Sequence, residues 1–463
     1  MASVKETGQT NKTIVLIVTS MAAFIMPFSS AGVNVALPTI GNEFSLNAVL
    51  LSWVLTANVL AAGIFLVPAG RIADIFGRRK IFIYSAVVQF LSYLAAALAP
   101  SNTIFMVARV FQGVGAGMSA ATYPAILVSV YPAEERGKVL GINVSAVYIG
   151  LSIAPVIGGL MTQYLGWRSI FYLCSLFALA IISIAVSQIK REWAEAKGEK
   201  FDIIGSVIFG VALIAVIYGV SILPSVPALF IFIAGLAMLV LFVFWESRVK
   251  SPVVNINLFR HNRVFAFSNL ATLLNYMATF AISMMLSLYL QYVKGFDPRL
   301  TGLVLLSQPA VQTIVAPLAG RISDKVRPQF VSSAGMVLTT IGLVMFAFLQ
   351  NNTPIFYVVI SQVVVGLGFG AFASPNTNAI VSSVDKKYLG VASAVIGTMR
   401  TLGQMFSLGI ITLLFALFIG HEQITGNIAA FLQSNRVIFI ISAALCSAGI
   451  FASLIGRGAR SGK

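Results

Sequence analysis

Charge is scarce in this sequence. Asp, Glu, Lys and Arg make up 10% of its 463 residues, against roughly 25% in soluble domains. Hydrophobic residues make up 58%. A soluble domain has too few polar groups to cover that much apolar surface, whereas lipid needs none. Cysteine is nearly absent: Cys174 and Cys446 both sit inside apolar runs, which excludes a disulfide framework and a structural zinc site. Only two histidines occur, His261 and His421. No cluster of His, Cys and carboxylates suggests a metalloenzyme or hydrolase, so neither a metal, nor a cofactor, nor enzymatic chemistry is expected. Long polar stretches are missing too. Without a soluble domain there is no place for an ATPase module, and little for the sensory or docking part of a receptor or scaffold.

What the chain does have is apolar length. Segments long enough to cross a bilayer fall at 13–37, 48–70, 80–99, 103–130, 138–164, 168–189, 202–222, 227–247, 264–292, 300–320, 329–349, 354–384, 389–419 and 435–455. The first is too long for a signal-peptide core and is read as a retained helix. Fourteen crossings put both termini on one side. That side then holds 24 of the 30 Lys and Arg, leaving Arg168, Lys294, Arg299 and Arg436 opposite and Arg109 and Arg400 within helices. Such a bias predicts cytoplasmic termini in a cell membrane. It also explains the net charge of +16 without a nucleic-acid groove, because the cations cluster at loops rather than along one face.

Two polar linkers, near 190–201 and 248–263, divide the chain into six, two and six helices. The predicted units are an N-terminal bundle over 1–190, linkers with inserted helices 7 and 8 over 191–262, and a C-terminal bundle over 263–463. The bundles carry matching motifs. AGRIADIFGRR (Ala69 to Arg79) follows helix 2 and AGRISDKVR (Ala319 to Arg327) follows helix 10. GVGAG (Gly113 to Gly117) in helix 4 matches GLGFG (Gly366 to Gly370) in helix 12, and Gly137 matches Gly390. Duplicated halves are typical of carriers that rock two bundles about a central site.

The run GRIADIFGRRK, Gly70 to Lys80, resembles the helix 2–3 signature of the major facilitator superfamily. The plan of six, two and six helices resembles its drug–proton antiporter branch. So do VNVALPTI (Val33 to Ile40), LSWVLTANVL (Leu51 to Leu60), RVFQGVGAG (Arg109 to Gly117) and GWRSIFY (Gly166 to Tyr172). The resemblance implies an all-α membrane protein, a monomer, that exports small amphipathic molecules by alternating access, coupled to protons. Uptake of an organic anion or nutrient on the same fold is the alternative, and a non-transporting receptor or scaffold the reading from a different class.

The resemblance also implies roles for residues. Gly70, Arg71, Asp74, Gly77, Arg78 and Arg79 would form a charge-relay latch, with Arg321 and Asp324 as its repeat. Gly70 and Gly77 would allow the tight turn, and Asp74 would cap a helix start or pair with an arginine. Arg109, with Gln112 one turn on, falls in a motif credited with proton transfer or substrate contact; snorkelling to the surface is its plain alternative. Gln362 matches Arg109 in the second half. Arg400 should lie near mid-membrane and face the cavity or the half–half interface, near Gln404 or Gln308. Asn34, Tyr123, Asn275, Tyr148, Tyr276 and Gln312 are further cavity candidates, with Met284 and Met285 as an adaptable apolar wall. Gly150, Pro155, Gly158 and Gly159 resemble the helix 5 exporter motif, although Ala154 stands where glycine is usual. A notable absence is acid. Members that expel cations carry an aspartate at the position of Ser29, and none of the fourteen Asp and Glu falls at mid-membrane. The interior cations Arg109 and Arg400 should then favour anionic, zwitterionic or neutral solutes over permanent cations.

Overall fold

A computed structural model describes residues 11–249, 259–260, 262–384, 389–420 and 422–455. Glu6, His261, Asp385 and His421 lie outside the described residues, as does most of the second linker. The fold is all α. Among the described residues fourteen helices are long and apolar enough to cross a membrane, and the protein is a multi-pass membrane protein. They are α1 Lys12–Glu43, α2 Ala48–Phe76, α3 Arg78–Ala97, α4 Asn102–Val130, α5 Ala133–Leu165, α6 Arg168–Gln188, α7 Ile203–Ser221, α8 Val226–Glu246, α9 Arg263–Val293, α10 Pro298–Lys325, α11 Pro328–Ala347, α12 Ile355–Ser382, α13 Leu389–Phe418 and α14 Ile428–Ile455.

Short polar residues set several starts by accepting a backbone N–H that has no partner inside the helix. Asn47 accepts from Leu50 at 2.8 Å, Asn262 from Phe265 at 2.9 Å and Asp297 from Leu300 at 2.7 Å. Asn427 does the same for Ala430 at 3.0 Å. That cap starts α14 at Ile428, seven residues before the position expected from hydropathy. Arg436 therefore lies about two turns inside α14 rather than at its first residues, with its guanidinium 6.0 Å from the Phe348 ring centre.

In the N-terminal half, α1 packs on α5 and α6, α2 on α4, and α3 on α4 and α6. The C-terminal half repeats the plan: α9 packs on α13 and α14, α10 on α12, and α11 on α12 and α14. Both glycine rows lie at these crossings. A Cβ on Gly115 would collide with Gln89 of α3, and one on Gly113 or Gly117 with the Asn58 or Ala62 carbonyl of α2. One on Gly366 would collide with the Gln308 carbonyl of α10 and one on Gly368 with Thr339 of α11. Close backbone approach replaces the hydrophobic driving force that lipid removes. Helices α7 and α8 pair with each other, and α7 leans on α2 and α13 across the seam between halves. Phe230 and Val240 of α8 are exposed, as lipid-facing residues are.

The seam is closed at one end. Away from the termini, Ser52 of α2 bonds Thr412 of α13 at 2.8 Å, and the Gln291 amide of α9 donates to the Val35 carbonyl of α1 at 2.9 Å. The Ala48 N–H donates to the Glu422 carbonyl at 3.1 Å, and Ser152 of α5 meets Thr313 of α10 at 3.1 Å. Toward the termini the halves part. There no hydrogen bond or salt bridge joins the halves among the described residues. The structure is thus a V, open on the face that carries both chain ends.

Helix α9 is not regular. Its helical turns lapse at Phe280–Ala281, where the Ser407 hydroxyl accepts the Ala281 N–H at 3.2 Å, and it ends in a π-turn over Tyr289–Val293. The wider turn brings Gln291 and Tyr292 onto α1. Met284 and Met285 are at most 1% exposed and belong to the core, so they form no cavity wall in this state.

Candidate transport site and its gates

The helix 2–3 connection is built around Gly77, whose φ of +122° disfavours any side chain. Gly70, by contrast, lies within α2, where a Cβ would rest 3.7 Å from Ala121; neither a turn nor a close approach needs it. Asp74 does not pair with Arg71, and its carboxylate does not cap α3. It accepts from Arg78 through Nε at 2.8 Å and Nη2 at 2.7 Å. The cap comes from Glu192 of the 190–201 linker, which accepts the backbone N–H groups of Arg79 at 2.8 Å and Lys80 at 3.2 Å.

That linker is a folded strap rather than a solvated tether. Glu195 takes Arg78 bidentately at 2.8 and 2.9 Å, and Glu199 pairs with Arg71. Arg79 donates through Nε to the Ile189 carbonyl. The backbone joins in: Arg78 N–H to the Trp193 carbonyl at 2.8 Å, and Ala196 N–H to the Asp74 carbonyl at 2.9 Å. Trp193 and Ala196 are buried by the contact. Arg78, with Ser129 of α4 at 2.6 Å on its other side, is the hub. The Glu-x-x-Glu-x-x-x-Glu spacing of the linker, facing four basic residues, was the available signal for this arrangement.

The second-half motif is different. Arg321 and Asp324 form no salt bridge among the described residues, and Asp324 instead lies 3.4 Å from the Asn378 amide. The cause is in the sequence. The connection has Arg327 where the first half has Gly77, and the register that supplies Arg78 falls on Pro328, which carries no charge.

Arg109 is 1% exposed and sits inside the N-terminal bundle, not on the face between halves. Snorkelling does not occur. Its Nε donates to the Val54 carbonyl at 2.8 Å and its Nη1 to Gln112 Oε1 at 2.5 Å, while the Gln112 amide reaches the Ser92 carbonyl at 3.3 Å. Tyr93 and Cys174 lie within electrostatic reach, and both contact Ser29. Ser29 therefore belongs to the Arg109 cluster, whose side chains near the cation among the described residues are neutral. Gln362 is likewise buried, at 1% exposure, with its amide nitrogen unbonded. Asn275 is buried against Cys446, with neither polar atom in a well-formed hydrogen bond. Asn34 is 6% exposed and its Oδ1 has no donor.

On the face between halves the chemistry is different. Arg400 of α13 is half-buried; its Nη2 donates to the Thr377 hydroxyl of α12 at 3.2 Å, and its guanidinium carbon lies 5.6 Å from the Tyr276 ring centre of α9. The partner is Thr377, one that sequence reasoning missed, rather than Gln308 or Gln404; no hydrogen bond joins Arg400 to either glutamine among the described residues. Tyr123 of α4 and Tyr148 of α5 lie within electrostatic reach of the same cation, and Tyr148 rests against Gln312 of α10. Gln404 stands one turn further along α13, also half-buried.

Beside this face helix α5 packs closely on both α1 and α10. A Cβ on Gly158 would press on the Gly32 Cα of α1 at 2.8 Å, and one on Gly150 on the Phe24 carbonyl at 2.7 Å. On its other side Gly159 abuts the Pro298 backbone, and Gly302 of α10 abuts the Pro155 carbonyl. Ala154 is fully buried and leaves room for this packing. At the closed end, Glu43 accepts the Trp167 indole N–H at 2.6 Å and an Arg168 N–H at 2.9 Å, tying α1 to α6. At the open end, burial pushes the Tyr131 hydroxyl pKa above its usual value, and that hydroxyl donates to the Lys12 carbonyl at 2.9 Å.

Two pseudo-symmetric bundles, repeated motifs and a seam open at one end match one established profile. The profile of the Major Facilitator Superfamily covers residues 19–408 and, in a second match, 268–461. The chain belongs to the Major Facilitator Superfamily. Among its relatives is riboflavin transporter RibZ of Clostridioides difficile (strain 630), 27% identical over 95% of this chain and 96% of that one. Multidrug resistance protein Stp of Mycobacterium tuberculosis (strain ATCC 25618 / H37Rv) is 28% identical over 86% of this chain and 75% of Stp. Puromycin resistance protein pur8 of Streptomyces alboniger is 28% identical over 84% and 78%. As a superfamily member the chain is a membrane transporter of small molecules.

Proposed function

We propose that this transporter exports small amphipathic molecules across the plasma membrane by alternating access, coupled to the proton gradient, and works as a monomer with both termini in the cytoplasm. The observation that carries the reading is the V itself. Its halves are bonded at one end, splayed at the other, and line the gap with the half-buried polar side chains of Tyr123, Tyr148, Tyr276 and Arg400. With the termini cytoplasmic, the open end faces the compartment from which an exporter loads. The relatives named for multidrug and puromycin resistance support export. No carboxylate among the described residues lies at membrane depth on the face between halves, so the coupling proton would be carried at the membrane edge, with Asp74 in its Arg78 pair the first candidate, or on the substrate.

Uptake is the second reading, and one observation favours it: the relative named for riboflavin, a vitamin, spans nearly the full length of both chains. Flux into and out of proteoliposomes of known orientation, measured for a panel of antibiotics and vitamins with and without an imposed pH gradient, separates the two. Export against a gradient that vanishes with the pH difference is the expected result. Uptake of a nutrient regardless of the pH difference would replace the proposal with its rival. Tags on the two ends found on opposite faces of the membrane would overturn the orientation.

A further inference from the structure

Among the described residues Arg400 is a cation without an anion. From Leu389, the start of α13, it lies ~16 Å along the helix axis at ~1.5 Å per residue, well inside the span. A guanidinium offers five N–H donors. Among the described residues only Nη2 has a hydrogen-bond partner, the neutral Thr377 hydroxyl, and the buried Nε has none. No salt bridge reaches Arg400 among the described residues. A charge at membrane depth is costly unless paired or facing a water-filled cavity, so the site has an unused preference for negative charge. The planar fork of arginine matches a carboxylate or sulfonate bidentately.

The neighbours add a shape. Tyr276 of α9 lies 5.6 Å from the cation, with Tyr148 of α5 and Tyr123 of α4 within electrostatic reach of it, and Tyr276 is held edge-on by Phe369 at 5.3 Å between ring centres and 80° between planes. Aromatic rings offer stacking faces to a flat apolar body, and their hydroxyls donate to an anion. Tyr123 and Tyr148 belong to the N-terminal half, and Arg400, Tyr276, Thr377 and Gln312 to the C-terminal half. A ligand held by this set bridges the two bundles that alternating access must move together.

We propose that Arg400, with Tyr123, Tyr148, Tyr276, Thr377 and Gln312, forms a binding site for planar aromatic solutes that carry one negative charge. The inference rests on the transport reading for its biological use but not for its test. The solute supplies the missing counter-ion, so Arg400 selects charge and the tyrosines select flatness.

The test uses three probes with one ring system: 2-naphthoate, 2-naphthylmethanol and 2-naphthylmethylammonium. Equilibrium binding is measured on the full chain in nanodiscs of zwitterionic lipid, with empty nanodiscs subtracted. The anion should bind at least tenfold more tightly than the alcohol, and the ammonium most weakly. Arg400→Gln should erase the preference between anion and alcohol. Arg400→Lys should keep part of it, since the charge remains but the fork is lost. Tyr276→Ala should weaken anion and alcohol together. Thermal melts identify variants that fail to fold, and agreement of the lysine and tyrosine variants then decides. Equal binding of the three probes, or an anion preference that survives Arg400→Gln in a folded variant, would overturn the proposal. If the flux panel finds a transported solute while the naphthyl series shows no charge preference, this site falls and the transport reading stands. If naphthoate binds through Arg400 but no solute moves, the site stands and the transport reading falls.

Discussion

The seam between α5 and α10 can be made to report which way the transporter faces. Gly302 packs so closely on α5 that a Cβ would lie 2.8 Å from the Pro155 carbonyl carbon, and nearer still to its oxygen. Carbon atoms rest ~3.5–4.0 Å apart, so Gly302→Ala must push the helices about 1 Å apart at this crossing. Overpacking of this kind costs about 1–3 kcal/mol. The cost applies only where the ends of α5 and α10 away from the termini touch, so the variant should favour the opposite state by about 5–150-fold. Spin labels at Ser101 and Asn352, both exposed at the closed end, should report longer distances in Gly302→Ala. Labels at Lys138 and Arg327, exposed at the open end, should report shorter ones. Cys174 and Cys446 are buried and are replaced by serine in the background. Gly397→Ala, with nothing within 4 Å of its Cβ, is the control and should not lengthen the Ser101–Asn352 distance. A folded Gly302→Ala protein with both distributions unchanged would refute the claim that this contact separates two states.

The remaining predictions concern the arginines. Arg78→Lys keeps the charge but loses the bidentate grip on Glu195 and the double contact to Asp74, and should lower stability by about 1–2 kcal/mol in a detergent melt. Glu195→Gln should cost under about 1 kcal/mol, because that carboxylate is 65% exposed and screened by solvent. Arg109→Ala removes a fully buried side chain and leaves the Gln112 acceptor without its donor; a loss of about 3–5 kcal/mol is expected, and a melt within 1 °C of the parent would contradict the burial described here. Ser29→Asp should be tolerated, since it would set a carboxylate into the Arg109 cluster, whereas Ser29→Lys should abolish folded expression as judged by gel filtration.

Much of the architecture was fixed by composition and spacing. Lipid demands that every backbone polar group be bonded within a segment, so runs of about 20 apolar residues could only become helices, and the matched AGRI and glycine motifs paired the halves before any contact was known. The departures have local causes. The start of α14 moved because the Asn427 cap outweighed a hydropathy threshold, and the second-half latch stayed open because one connection lost a glycine and gained Pro328. What sequence could not decide was direction: which way each polar side chain points around its helix axis. Arg109 and Arg400 read alike as intramembrane cations. Yet helix rotation buries the first among carbonyls and Gln112 inside one bundle and turns the second toward the opposing half, because that rotation is set by packing over hundreds of residues of chain separation. The state of the V was equally beyond the sequence, since both faces of an alternating carrier are written in the same residues and only their tertiary pairing selects one.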